Sequence, residues 1–298
     1  YVDFYRTYYV PSNSSLSLAG DINIEETKQL IDKYFASIPA GEAINMYRDY
    51  ETLSDDAFKA KYTVEKSQLD QNNFMNPKDK TAAALVKRYA SMPVKIERPA
   101  KSTEKLTEVK RVTVEDNIQL PGLFMAYNLP DQTHKDMYAL QMMNDVLSGG
   151  SSSRINKSVV EKQELAQFAF AFSYGLEDAG LGIFAAIAAK DVSLDQIQTA
   201  LDEQIKLIST DLITEEEFQK IRNQYENDFI SSNASVAGIA ENLANNHVYM
   251  GSAEYTNNEL EKYMSVTRED IRRVAKQYLT PDARVIIQYV PKRDNTEK

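Results

Sequence analysis

The stretch from Met137 to Phe172, MYALQMMNDVLSGGSSSRINKSVVEKQELAQFAFAF, decides how the rest of the chain is read. Met137, Leu140, Met143 and Leu147 recur every three or four residues, which places them on one face of a helix. Gly149 and Gly150 end that helix, because glycine adopts the backbone angles of a helix terminus at little cost. Three serines and Arg154 follow. Ile155, Val159, Val160 and Leu165 then carry the spacing of a second, short helix. The run from Phe168 to Phe172 reads as a strand, although it shows little alternation of apolar and polar residues. The predicted order is helix, glycine-serine hinge, helix, strand.

Working outward, Gly175 and Gly180 bracket a hairpin turn, and LGIFAAIAAK returns as its partner strand. Four helices follow. Ser193 with Gln196, and Thr214 with Glu217, form capping boxes, in which each side chain satisfies a free amide of the first turn. Ile239, Leu243 and Tyr249 mark a third helix, and Thr267 opens the last one, through Ile271, Val274 and Tyr278. Pro281 breaks it, and Ala283 to Val290 makes a closing strand. Upstream of the hinge, Val109 to Val114 and the segment QLPGLFMAYNLP read as strands, with a turn at Asn128, Leu129 and Pro130. Strands and helices in this arrangement predict an α+β fold: a two-layer lobe whose largely antiparallel sheet is covered by helices on one face.

The first hundred residues have a different texture. Tyr1 to Tyr9 reads as the last turn of a helix, followed by a turn at Pro11, Ser12 and Asn13 and a strand from Ser15 to Gly20. Ile24, Thr27, Leu30, Ile31, Tyr34 and Phe35 set a helical stripe that Ile38, Pro39, Ala40 and Gly41 bring to a stop. From Glu42 to Lys105 two weak helical patterns, around Asp55 to Tyr62 and Thr81 to Tyr89, flank the polar segment DQNNFMNPKDK. The step from helix to strand at Tyr278 to Pro281 echoes the one at Tyr9 to Pro11 and agrees with two homologous lobes.

The composition of the 298 residues excludes several function classes. With 34 basic against 44 acidic residues and a net charge of −10, nucleic acid and anionic membrane are poor main partners. That charge either steers basic peptides toward the protein or keeps its surface soluble. No apolar run reaches the length of a membrane span, about 18 residues. With no cysteine there is no disulfide, no thiolate nucleophile and no cysteine-bound zinc. The two histidines, His134 and His247, are too far apart in sequence to share one helical turn. Ser151, Ser152 and Ser153 lack both a G-x-S-x-G elbow and a nearby histidine, so they make a poor nucleophile.

Two segments resemble the insulinase (pitrilysin) family of zinc peptidases, which includes mitochondrial processing peptidase and the core proteins of respiratory complex III. In the first, Tyr9, Pro11, Asn13, Leu16, Gly20, Asp21, Ile22, Glu25, Lys33, Tyr34, Phe35, Ile38 and Pro39 occupy the places of a family motif near the end of the first of two lobes. In the second, Leu147, Gly149, Gly150, Ser152, Ser153, Arg154, Ile155, Val160, Glu161, Leu165 and Ala166 match the family's hinge between helices.

The resemblance implies the C-terminal, substrate-chamber part of a zinc metalloendopeptidase. Residues 1–41 would be the tail of a truncated first lobe, 42–105 a helical linker or insertion, and 106–298 a complete second lobe. The family's H-x-x-E-H motif, whose histidines ligate zinc while the glutamate activates water, does not occur here, so no catalytic or metal residue is assigned. Zinc is expected in the missing N-terminal lobe. The arginine and tyrosine with which some second lobes contact peptide are replaced by Val160 and Gln167. From the hinge motif, Ser152, Ser153 and Arg154 are the expected substrate-binding residues. The expected partners are peptide substrates, the missing lobe and a second homologous half or subunit. The alternative implied is a catalytically inactive partner or scaffold subunit, as in the core proteins. An extracytoplasmic bacterial location is the companion expectation.

Overall fold

The computed structural model describes residues 9, 11–36, 38, 53–62 and 106–292. The chain divides into two compact units, Tyr1–Ala100 and Lys101–Lys298.

In the first unit, α1 spans Ile24–Phe35 and α2 spans Asp55–Tyr62. Asn23 caps α1 by accepting the Glu26 amide at 3.1 Å, and the turn at Pro11–Asn13 is a short 3-10 helix. Although α1 carries its apolar stripe as predicted, it buries no residue. The strand expected from Ser15 to Gly20 does not form. A strand needs a neighbour to receive its amides and carbonyls, and no described residue pairs with this one; Leu16 and Leu18 stay exposed. The helical patterns expected at Tyr1 to Tyr9 and Thr81 to Tyr89 lie, apart from Tyr9, outside the described residues.

The second unit is built on five strands in the order β1-β5-β2-β4-β3. They are β1 (Lys110–Asp116), β2 (Gly122–Leu129), β3 (Ala166–Gly175), β4 (Gly180–Ala188) and β5 (Arg284–Pro291). Only the β1 to β5 pairing is parallel, so the sheet is largely antiparallel. Strand alternation sorts the side chains: Leu123, Met125, Tyr127 and Leu129 of β2, with Phe184 and Ala186 of β4, are buried on the face that meets the helices.

The helices of this unit are α3 (Asp136–Ser148), α4 (Leu194–Thr210), α5 (Glu215–Ser232), α6 (Val236–Met250), α7 (Thr256–Met264) and α8 (Arg268–Tyr278), of which α3, α4 and α8 pack directly on that face. The apolar periodicity of α3 is realised as a buried stripe of Met137, Leu140, Met143 and Leu147. On α4, Ile197, Leu201, Ile205 and Ile208 do the same, and on α8 Ile271 and Val274. Burying one such side chain contributes about 1.5–3 kcal/mol, which is what holds short helices to a sheet. Both expected capping boxes form, and Thr267 makes a third with Asp270. Helix α7 was not expected. Its sequence, TNNELEKYM, is polar enough to pass for a loop, and none of its residues is fully buried.

The second short helix after the hinge is a π-helix, Asn156–Lys162, not an α-helix. Its bonds skip one extra residue, as in Gln163 N to Ser158 O at 3.1 Å, and apolar spacing alone does not separate the two helix types over so short a run.

Candidate functional site: the hinge and the sheet edge

The hinge is shaped by its two glycines. The Gly149 amide closes α3 by donating to the Asp145 carbonyl at 2.7 Å, and a Cβ at Gly149 would come within 2.5 Å of that same oxygen. Gly150 has φ +87°, in the region that suits glycine. The chain then turns back, with the Ser153 amide on the Gly150 carbonyl at 3.1 Å.

The three expected binding residues have distinct surroundings. Arg154 makes a two-pronged ion pair with Glu217: Nε to Oε1 at 2.7 Å and Nη2 to Oε2 at 2.7 Å. Because Glu217 also receives the Thr214 amide at 2.9 Å as part of the α5 capping box, the pair ties the hinge to the start of α5. Ser152 is exposed, and its hydroxyl is bonded by the Lys220 ammonium. Ser153 is buried, and its hydroxyl has no hydrogen-bond partner among the described residues. All three border a cleft of about 340 Å³, which Lys157 also lines. Asp145 lies behind them; burial pushes its carboxyl up, and it accepts the Tyr225 hydroxyl at 2.7 Å. With Arg154 engaged by Glu217, Ser152, Lys157, Glu216 and Lys220 are exposed polar groups that line the cleft and would meet a ligand there. They can hold one by hydrogen bonds.

Glu217 gives the hinge a pH signature. Burial alone would raise its carboxyl, but the Arg154 guanidinium and the Thr214 amide outweigh burial and bring it down from 4.5 to about 2. A group whose folded pKa lies below its unfolded value stabilises the fold above the unfolded value, and that stabilisation disappears as pH falls toward about 2. Glu217→Gln is therefore expected to cost about 1–2 kcal/mol at neutral pH, a figure reduced because the carboxylate is partly open to water. Urea titrations of both proteins should converge as pH drops below 4.5, the carboxyl's ordinary value. A gap that stays constant with pH would show that shape, not charge, accounts for the effect.

The π-helix leads from the hinge into β3, one of the two edge strands of the sheet. Glu164, at φ +52°, and a bulge between Ala166 and Phe168 mark the entry. Beyond the bulge the strand does alternate. Ala169 and Ala171 face the helices, while Phe168, Phe170, Phe172 and Tyr174 stand on the opposite face and are exposed, Tyr174 by 55%. The rings stack as a ladder, Phe168 on Phe170 at 6.2 Å and Phe170 on Phe172 at 5.9 Å. These are the residues sequence reasoning missed. The signal was an aromatic residue at every second position, hidden because small apolar alanines fill the other phase.

The described residues do not fit a zinc ion. Nowhere among them do three His, Asp or Glu side chains converge as metal ligands would. His134 sits at the start of α3, accepting the Asp136 amide at 3.1 Å, and His247 lies in the last turn of α6.

Comparison with known proteins places this geometry. A zinc protease of Helicobacter pylori, PqqE, is 25% identical over 279 residues, 92% of this chain and 51% of that protein. The chain thus spans about half the length of that relative. The crystal structure of a protease from Helicobacter pylori superposes with a TM-score of 0.71 at 20% identity, over 97% of this chain and 58% of that one. A chain of complex III from Candida albicans shares the fold at a TM-score of 0.51 and 16% identity, over 71% of this chain and 52% of that one. A family model described as the peptidase M16 inactive domain matches residues 2–225, three quarters of the sequence, and the chain belongs to that family.

Proposed function

We propose that this chain forms the non-catalytic, peptide-holding part of an M16 zinc peptidase, with residues 106–298 as a complete second lobe. Residues 1–41 would be the tail of a first lobe and 42–105 a helical linker. Zinc and the groups that activate water would then belong to an N-terminal lobe, in keeping with a relative about twice as long. The observation that carries this reading is the outer edge of β3. An edge strand presents unpaired amides and carbonyls to which an extended peptide can add as a further strand. Beside that edge, the ladder of Phe168, Phe170, Phe172 and Tyr174 offers apolar contact to alternate side chains of such a peptide. Ser152, with Lys220, would bind peptide at the separate hinge cleft, while Arg154 holds the hinge in shape.

The test is binding and cleavage measured together. Fluorescent, unstructured peptides of about 20 residues are titrated against the purified chain, and the mixtures are followed by mass spectrometry with and without a metal chelator. Peptides with aromatic or branched residues at alternate positions should bind without being cut. Replacing Phe168, Phe170 and Phe172 together by serine should weaken binding about tenfold or more while the chain still folds cooperatively with a lowered melting temperature, since these rings are partly exposed and stack only on one another. Chelator-sensitive cleavage by the pure chain would overturn the non-catalytic assignment. If instead no peptide binds, the aromatic face would be better read as a docking surface of a scaffold subunit, a role favoured by the fold shared with complex III.

A further inference from the structure

A second cleft, of about 450 Å³, opens between the start of α3 and helices α7 and α8. Its walls carry three cations, Lys135, Lys262 and Arg273, and two carboxylates, Asp136 and Asp270. Both carboxylates are already occupied. Asp136 receives Arg273 through Nη2 at 2.8 Å and Nη1 at 3.2 Å, and the Tyr278 hydroxyl at 2.9 Å, with His134 Nδ1 3.9 Å away. Asp270 takes the Thr267 hydroxyl at 2.6 Å and Arg273 at 3.2 Å. These contacts hold both carboxyls below the usual carboxylate range.

That leaves a surplus of donors. Lys135 and Lys262 make no ion pair among the described residues, although both line the cleft. Lys262 is half-buried, with its ammonium 3.2 Å from the centre of the Tyr255 ring and 5.9 Å from that of Tyr138. Burial pushes up the carboxyl of Glu259, one turn earlier on α7, while the Lys262 charge draws it down. An ammonium drawn from water against two aromatic rings gains from an anion placed beside it. In a protein of net charge −10, the three cations lining this cleft outnumber its two lining carboxylates.

We propose that this cleft binds a small anion bearing a carboxylate or phosphate group, with Lys262 and Lys135 as the charged contacts and the Tyr138 and Tyr255 rings as an apolar wall. It stands apart from the edge-strand reading and does not depend on it. The experiment uses the 298-residue chain at low ionic strength, where screening is weakest, and titrates three probes by calorimetry: N-acetyl-tyrosine, its amide, and inorganic phosphate. N-acetyl-tyrosine should bind at least about tenfold more tightly than the amide, and Lys135→Met with Lys262→Met should remove that difference, while Lys262→Arg keeps it. Circular dichroism melts of the variants should match the parent, since neither lysine is fully buried. Phosphate binding that the double methionine variant abolishes, with no response to the carboxylate, would also uphold the site and identify phosphate as its ligand. The proposal is overturned if acid and amide bind alike and phosphate does not bind, or if the methionine variant binds as the parent does.

Discussion

Phe184→Ala is expected to destabilise the second unit by about 4 kcal/mol, because removing a fully buried ring forfeits its transfer energy and leaves a cavity that the sheet cannot collapse to fill. Phe184 lies in the middle of β4, paired with Met125 of the central strand, and its ring meets Tyr127 edge-on at 5.7 Å. The position is rigid on two sides: the antiparallel ladders fix the backbone, and α3 and α4 fill the layer above. Domains are stable by only about 5–15 kcal/mol, so a loss of this size should move the urea midpoint far toward zero. Phe184→Leu keeps most of the volume and should cost about half as much. If alanine at this position cost under about 1 kcal/mol, the tight packing described between β2 and β4 would be wrong.

Asp202→Ala should cost about 3 kcal/mol for a different reason: it strands a buried charge. Arg284 on β5 is 5% exposed, and its guanidinium is held on two sides. Asp202, from α4, binds it through Nη1 and, at 2.9 Å, through Nη2, while the Tyr127 hydroxyl meets Nη1 at 2.9 Å. Without Asp202 only neutral partners remain, the Tyr127 phenol and the Met125 sulfur 3.5 Å from Nη1. Because the penalty comes from an unpaired charge rather than a lost contact, removing the charge should relieve it. Arg284→Met in the Asp202→Ala background is expected to recover at least about 1 kcal/mol, a non-additivity that a double-mutant cycle measures directly. Additive losses would mean that the two side chains act independently.

These two residues show where sequence reading stops. Asp202 sits on a helix whose stripe of Ile197, Leu201, Ile205 and Ile208 was readable, and Arg284 opens a strand that was readable too. Their pairing joins positions 82 residues apart, and local pattern says nothing about which strand lies beneath which helix. The same holds for Arg154 and Glu217. Each was singled out, one in the hinge and one in a capping box, but only their apposition shows that the hinge is bolted to α5.

The sequence by itself determined what depends on a few neighbouring residues. Helix faces came from three-and-four spacing, helix starts from Ser193 and Thr214, the α3 terminus from Gly149 and Gly150, and the strands from alternation or β-rich runs. The tertiary structure decided what depends on distant partners. A strand exists only where another strand receives its hydrogen bonds, so Ser15 to Gly20 stays irregular while Arg284–Pro291 pairs on both sides. Exposure is likewise a property of the assembled sheet. Phe168, Phe170 and Phe172 have the composition of a core strand, and it is their position on the helix-free face of a strand at the sheet's edge that leaves their rings partly in water.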